Sequence, residues 1–452
     1  MMEDKLLDEI EQAKENFNKL LDKIAKDIKR HNKIMLNADK RQRKEYDELQ
    51  EKLKEVLKLQ QAQKELIDAF IKLIAETIDA KSRYTGGHCR RVPEIAIRLA
   101  EEASKSDKFE FKIENEEQKR EISIAAWLHD CGKIVIPEYV MDKAVKLETI
   151  YNRIHEIRMR FEVVYRDLEI EALKRKLKGE NPEEVDLWFS EETEKLKEEF
   201  EFIARMNIGN DFVDDKDIEK LKKIANREWL RYFDDTIGLS EDEKSRISEE
   251  ELKVKLPVKE KLLSDKKRHI VKRSKEDIED FKKHGVKMEI PENLYNYGEV
   301  YNLSIKKGTL TKEEIFKIQE HAVRTIKMLE RLPFPDDLKN VPLYAGAHHE
   351  TLDGTGYPRK LKNGEIPIPA RIMAIADIFE ALTADDRPYK TPKKLSDAVR
   401  ILSEMAKENK IDKDLFLLFL TSGAYLDYAK KYLKPEQIDE VDVKYYEEMF
   451  GE

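Results

Sequence analysis

The first 80 residues contain neither glycine nor proline, and no other feature narrows the possible folds as much. Without a residue that relaxes or breaks the backbone, a strongly charged stretch of this length is confined to long helices. Its apolar residues recur at alternating steps of three and four. Leu6, Ile10, Ala13, Phe17, Leu20 and Ile24 form one series. Leu49, Leu53, Val56, Gln60, Gln63, Ile67, Phe70 and Ile74 form a second, a seven-residue repeat with two polar residues in its seam. The two series are out of phase by one residue, and a bend or loop is expected in the basic, polar stretch between them, His31 to Arg43. A stripe of this kind suits packing better than ligand binding, so residues 1–80 are read as a helical coiled-coil stalk that joins two copies of the chain.

At 452 residues the chain is too long for one ordinary core, and two or three structural units are expected. Charged residues make up 40% against only 15 Gly and 14 Pro, which predicts an all-α protein. A net charge of -9 provides no basic field for a nucleic-acid polymer, but a small anion needs only local cations or metal ions. The longest apolar run, Leu415 to Leu420, is too short to span a bilayer, and the acidic start MMEDKLLDEIEQ is unlike a signal peptide. A cytoplasmic protein is expected. Cys89 and Cys131 cannot form a disulfide framework and read as small residues at buried positions.

Residues 81–145 have a globular pattern: Val92, Ile95, Ala96 and Leu99 mark one helix, Ile122 to Leu128 leads into HDCGK, and Pro137 closes the unit. Residues 146–300 read as a charged helical insertion. Its helix-like runs are Leu147 to Leu177, Glu191 to Met206 and Ile218 to Phe233, separated by Asn181-Pro182, the turn Asn207 to Asn210, and Gly238. The acidic run Asp211 to Asp217 lacks the glycine and terminal glutamate of a calcium loop and suits helix capping. Dense patterning resumes over 301–435, where Leu395 to Tyr432 supplies helices that close the core, and 436–452 reads as a helical tail.

Only nine residues are histidine, and five of them stand in chemically crowded contexts: His88 in TGGHCRRV, His129 in LHDCGK, His321 in IQEHAV, and the pair His348 and His349 in AHHETLDGTGYP. Asp130 adjoins His129, and Asp377 lies in the apolar run AIADIFEALT. Imidazole and carboxylate side chains suit borderline divalent metals. Seven such side chains are enough for two ions, and Asp130 is the natural bridge, since its two oxygens can face different metals. Two adjacent ions can share a hydroxide, lower the pKa of its parent water and neutralise an attacked phosphate. Phosphodiester hydrolysis is the chemistry that suits this set best.

HDCGK at 129–133, HHETLDGTGYP at 348–358 and DIFEALTADDRPYK at 377–390 resemble the HD-GYP family, a branch of the HD-domain phosphohydrolases. The resemblance covers residues 80 to 430 apart from the insertion. It implies a compact helical bundle, with His88, His129, Asp130, His321, His348, His349 and Asp377 as ligands of two divalent ions, iron or manganese ahead of zinc. It also implies cyclic di-GMP as substrate, opened to pGpG and in some members cleaved on to GMP.

Lys133, four residues after His129, is placed one helical turn away, where its ammonium can stabilise phosphate or protonate the leaving oxygen beside Asp130. Gly354 and Gly356 permit a tight turn and close approach to a phosphate, or simply a rigid loop, and Tyr357 can touch a ligand or a partner. The resemblance gives Arg387 and Lys390 guanine or phosphate binding; a solvated basic face is the other reading. Two departures stand out. Where some members have a glutamate for a third metal this chain has Tyr84, which favours two, and ALTADDRPYK is one residue longer than the usual spacing. An active phosphodiesterase is the first functional reading because no ligand is missing. A catalytically silent cyclic di-GMP receptor that signals through the coiled coil, and a hydrolase of another cyclic dinucleotide or nucleotide, are the alternatives.

Overall fold

The computed structural model describes residues 2–81, 87–209, 212–252, 254–385 and 392–451. Tyr84, Asn210, Asp211, Arg387 and Lys390 lie outside them. Two units can be distinguished, one ending at Phe70 and a compact one over Ile71–Glu452.

A single helix runs over Met2–Lys81. The bend expected between His31 and Arg43 is therefore not there. His31, Asn32 and Asn37 each cost a helix only about half a kcal/mol relative to alanine, far too little to break an unbroken run of backbone hydrogen bonds. The change of phase is carried instead by the apolar stripe moving round the helix. In the single chain Leu6, Phe17 and Leu53 on that stripe are each more than half exposed.

In the compact unit, the end of the same helix turns Ile71, Ala75 and Ile78 inward. The helices His88–Lys105 and Ile368–Thr383 pack together, and the helix Lys312–Leu329 packs on a 3-10 turn at Cys131–Val135. Thr311 starts the helix Lys312–Leu329 with a capping box: its hydroxyl accepts from the Glu314 amide, and the Glu314 carboxylate accepts from the Thr311 amide. Phe379, Phe416 and Phe419 are fully buried, and the Phe379 and Phe419 rings meet edge to face at 4.9 Å. Each such ring contributes roughly 1.5–3 kcal/mol by leaving water. The expected C-terminal helix, Val443–Phe450, is docked rather than free: Tyr446 and Phe450 both pack on Phe416.

Residues 146–300 build a second core around Leu147, Ile157, Phe161, Leu196, Ile203, Leu221 and Leu262. Its frame is a hairpin of the helices Ile154–Leu177 and Pro182–Ile208. Asn181 caps the second of these and Gly209, in the left-handed conformation at φ 75°, ends it. Asp214 and Asp217 form a reciprocal capping box on the helix Asp215–Ala225, so this part of the acidic run serves as a cap. The helix-like run Ile218 to Phe233 is overturned in its second half. The helix stops at Ala225, and Glu228–Arg231 is a strand paired antiparallel with Val258–Lys261. Trp229 and Leu230 suit a pleated surface at least as well as a helix, and a strand 27 residues later in the chain, invisible to local periodicity, decides between them. A second ribbon pairs Ile270–Lys272 with Asn293–Asn296. Among the described residues these two short ribbons are the only sheets.

Candidate metal centre

Three of the seven candidate side chains, His88, His321 and Asp377, lie within helices, and four follow helix ends. The helix Glu116–Leu128 stops just before His129, and Lys133 belongs to the 3-10 turn, not to a continuing α-helix. The turn lies so close to the His321 helix that a Cβ on Gly132 would be 2.0 Å from the His321 carbonyl oxygen. Thr325 fastens it there: its hydroxyl donates to the His129 carbonyl at 3.0 Å and accepts from the Gly132 amide at 2.9 Å. His88 opens its helix, where the Asp79 carboxylate accepts from the amides of Gly87 and Cys89, both at 3.1 Å.

The ring protons are assigned by backbone and carboxylate acceptors. Nδ1 of His129, His321 and His348 lies 2.8, 2.6 and 2.6 Å from the carbonyls of Ala126, Ile318 and Ala345. An N–H at Nδ1 satisfies each carbonyl and leaves the Nε2 lone pair facing inward. His88 donates from Nδ1 to Glu380 at 2.6 Å, with the same result. Lone pairs then face one another, His88 Nε2 lying 3.2 Å from His129 Nε2. Such a pair repels unless a cation lies between or beside it.

Asp130 stands at the centre. Its Oδ2 is 3.2 Å from His88 Nε2 and 3.3 Å from His129 Nε2, while Oδ1 is 3.3 Å from His321 Nε2. Lys133 Nζ donates to Oδ2 at 2.5 Å. Asp377 Oδ1 is 3.3 Å from His88 Nε2, and its Oδ2 is 4.0 Å from His349 Nδ1. Two sets of donor atoms could each hold an ion: His88, His129 and Asp130; and His321, His348 and His349. Asp130 Oδ1 and His348 Nε2 are buried without any hydrogen-bond partner. An unpaired buried polar atom costs about 1–3 kcal/mol, and a divalent cation would satisfy both. The donor chemistry therefore fits metal.

At Asp130 and His348 the electrostatics favour the ligating forms. Burial pushes the Asp130 carboxyl upward, but Lys133 and His129 outweigh it and hold it well below the usual carboxylate range. Burial, with His129 nearby, pulls His348 down to about 3, so it is neutral.

The glycines of DGTGYP shape the loop. Gly354 is left-handed at φ 78°, and a Cβ on Gly356 would be 2.4 Å from the Thr351 amide nitrogen, so the close approach there is made by the chain's own backbone. Tyr357 lands with its ring stacked on His349, centroids 4.6 Å apart. The most important residue missed in the sequence is Glu380, buried between His88 and Arg91; Arg91 holds its other oxygen at 2.7 Å through Nε and 2.6 Å through Nη2. The signal was present: Glu380 lies three residues after Asp377, a second acid in the same apolar helix.

Two HD-domain family models match the chain, one over residues 85–227 and one over 254–415. In sequence, 190 residues lie between Asp130 and His321, and the fold brings His88, His129 and Asp130 together with His321, His348, His349 and Asp377 in one centre. Over these two stretches the chain is similar to HD domains. Gly356, Tyr357 and Pro358 follow His348 and His349 in the same loop.

Similar curated proteins include the 3'3'-cGAMP-specific phosphodiesterase 3 of Vibrio cholerae, 44% identical over 22% of this chain and 21% of the relative. The 3'3'-cGAMP-specific phosphodiesterase 1 of the same organism is 34% identical over 29% and 32%. The cyclic di-GMP phosphodiesterase of Thermotoga maritima is 41% identical over 23% and 27%. The chain thus spans about a fifth to a third of the length of these relatives. No helix among the described residues is long and apolar enough to cross a membrane.

Proposed function

We propose that the chain is a cyclic dinucleotide phosphodiesterase with two divalent ions, iron or manganese, held by His88, His129, His321, His348, His349 and Asp377 and bridged by Asp130. The observation that carries this reading is the division of the Asp130 oxygens, Oδ2 toward His88 and His129 and Oδ1 toward His321. When bound, two such ions supply a water of lowered pKa and neutralise charge on a phosphodiester. Lys133, held by Asp130, presents a fixed positive charge to the phosphate and a proton to the departing ribose oxygen. Tyr357, stacked on His349, walls one side of the centre and packs against the substrate. Residues 81–145 and 301–435 form the catalytic domain in this reading, 146–300 the insertion, and 436–452 the C-terminal helix docked on it. Residues 1–80 hold a homodimer together through their exposed apolar stripe.

Cyclic di-GMP, opened to pGpG and on to GMP, is the proposed substrate. A second reading, 3'3'-cGAMP, is favoured by the names of two relatives. Protein purified without oxygen should carry two metal ions per chain and turn over one of these dinucleotides in a chromatographic assay. The ratio of kcat/KM for the two, measured in competition, decides between them. Bound metal and tight dinucleotide binding with no product would overturn the enzyme in favour of a receptor.

A further inference from the structure

Residues of the stretch 146–300, together with Tyr139, line a half-open cavity of about 520 Å³ that shares no residue with the metal centre. Arg153, Arg246 and Arg268 line it together with His269, Tyr139 and Tyr297. Arg268 and Arg246 are paired with Asp235 and Asp242. Arg153 is different. It donates to the carbonyls of Leu147 at 3.3 Å and Tyr297 at 2.7 Å, and no carboxylate among the described residues lies within 4.0 Å of it. A half-buried guanidinium tied to carbonyls and, at 5.8 Å, to the Tyr297 ring, but to no carboxylate, keeps its charge available to an anion.

His269 adds a neutral donor. Its Nδ1 accepts from the Lys266 amide at 3.2 Å, which puts the ring proton on Nε2, and no acceptor in the described chain takes that proton. Burial, with Arg153 and Arg268 nearby, pulls its pKa down to about 4, so the ring stays neutral. Two carboxylates also line the cavity. Glu243 is committed to the amide and hydroxyl of Ser240, both at 2.9 Å, whereas Glu156 has no such partner among the described residues and can accept from a ring N–H. Tyr139, Tyr297 and Ile150 add apolar surface to the same lining.

Three guanidiniums, a neutral N–H donor, a free carboxylate and an aromatic surface are the complement of a phosphate joined to a nitrogen-bearing ring. We propose that this cavity is a second, non-catalytic site for a nucleoside monophosphate, with the phosphate on Arg153, Arg246 and Arg268 and the base against Tyr139 and Tyr297. Its position makes it regulatory. Tyr139 lies in the short helix Glu138–Met141 that follows the turn carrying Lys133, and its hydroxyl is 3.4 Å from that of Tyr297. An occupant shifts the segment that leads back to His129 and Asp130.

GMP is the probe, with inorganic phosphate as its control, and calorimetry on the full chain is the measurement. Chain carrying Asp130→Ala, which disables the metal centre, should still bind one GMP. Arg153→Met and, separately, the surface substitution Arg246→Glu should each weaken that binding by about tenfold or more. Loss of GMP binding in Asp130→Ala would assign it to the metal centre and overturn the proposal, as would unchanged binding in Arg246→Glu, a variant that does not disturb the core. Phosphate binding as tight as GMP would overturn the assignment of a nucleotide. The test needs no turnover, so it stands apart from the proposed activity.

Discussion

Phe17 and His348 mark two opposite departures from a self-sufficient chain. Phe17, an apolar ring on the N-terminal helix, is 60% exposed, whereas His348 is 2% exposed and its Nε2 has no partner. The helix presents what water should not touch, and the centre buries what water would otherwise satisfy. Each kind of incompleteness points to a different complement. Exposed side chains in a seven-residue stripe call for a second apolar stripe, roughly 25 cal/mol being gained for each Å² covered. Converging lone pairs call for a cation, which no rearrangement of the chain's own donors can replace without opening the core.

The sharpest way to break this contrast is to remove the group on which both halves of the centre depend. Asp130→Ala should abolish bound metal and turnover together, because it removes the carboxylate whose two oxygens face His129 in one donor set and His321 in the other. The chain should remain folded by circular dichroism, and full metal content in the variant would refute Asp130 as a ligand. Glu380→Gln should act less severely and on one side. The amide side chain would keep an acceptor for His88 Nδ1 but lose the charge that Arg91 clamps, so affinity for one of the two ions should fall about 10- to 100-fold. Metal titration should show one ion weakened and one unchanged, with activity recovering in excess metal. Equal loss of both ions would show that Glu380 supports the fold rather than His88.

The centre was legible in the sequence because histidine is scarce here and its contexts are chemically crowded. The residues that aim the ligands were harder to read. Asp79, Thr325 and Glu380 act across separations of 8 to 292 residues, and only Glu380 carried a local signal. The stalk shows the reverse. Its helical state followed directly from the missing glycine and proline, but the phase shift was read as a break because periodicity reports which face is apolar, not whether the backbone continues. The ribbon at Glu228–Arg231 was lost for a third reason, that its partner strand is distant in sequence. Lys133 reached the predicted neighbour by a different backbone, a 3-10 turn set by the absence of a side chain at Gly132.

The helix side of the comparison predicts a change of assembly. Removing residues 1–60 takes away the first series and half of the second, and should convert a dimer into a monomer or a weaker dimer by sedimentation, with metal content intact. An unchanged dimer mass would place the contact elsewhere and leave the exposed stripe unexplained.

Lys146 gives the smallest effect and tests the rule that separates the two regions, since it is a buried polar group for which the chain does supply acceptors. Its ammonium is fully buried and donates to the carbonyls of Leu303 at 3.2 Å and Ile305 at 2.7 Å, with no carboxylate among the described residues within 4.0 Å. Burial lowers its pKa to about 8. Below pH 8 the folded and unfolded chains both hold the proton, and the full cost of the buried charge is present. Between pH 8 and about 10.5 the folded chain releases the proton while the unfolded chain keeps it, so stability rises with pH. Because Lys146→Met lacks the titrating group, the stability of the native chain relative to this variant should improve across that window. A difference that stays flat from pH 7 to 10.5 would mean that the carbonyls stabilise the ammonium as well as water does. An internally satisfied charge would then leave no mark on stability, and metal would be needed only where, as at His348 Nε2, the chain offers no partner at all.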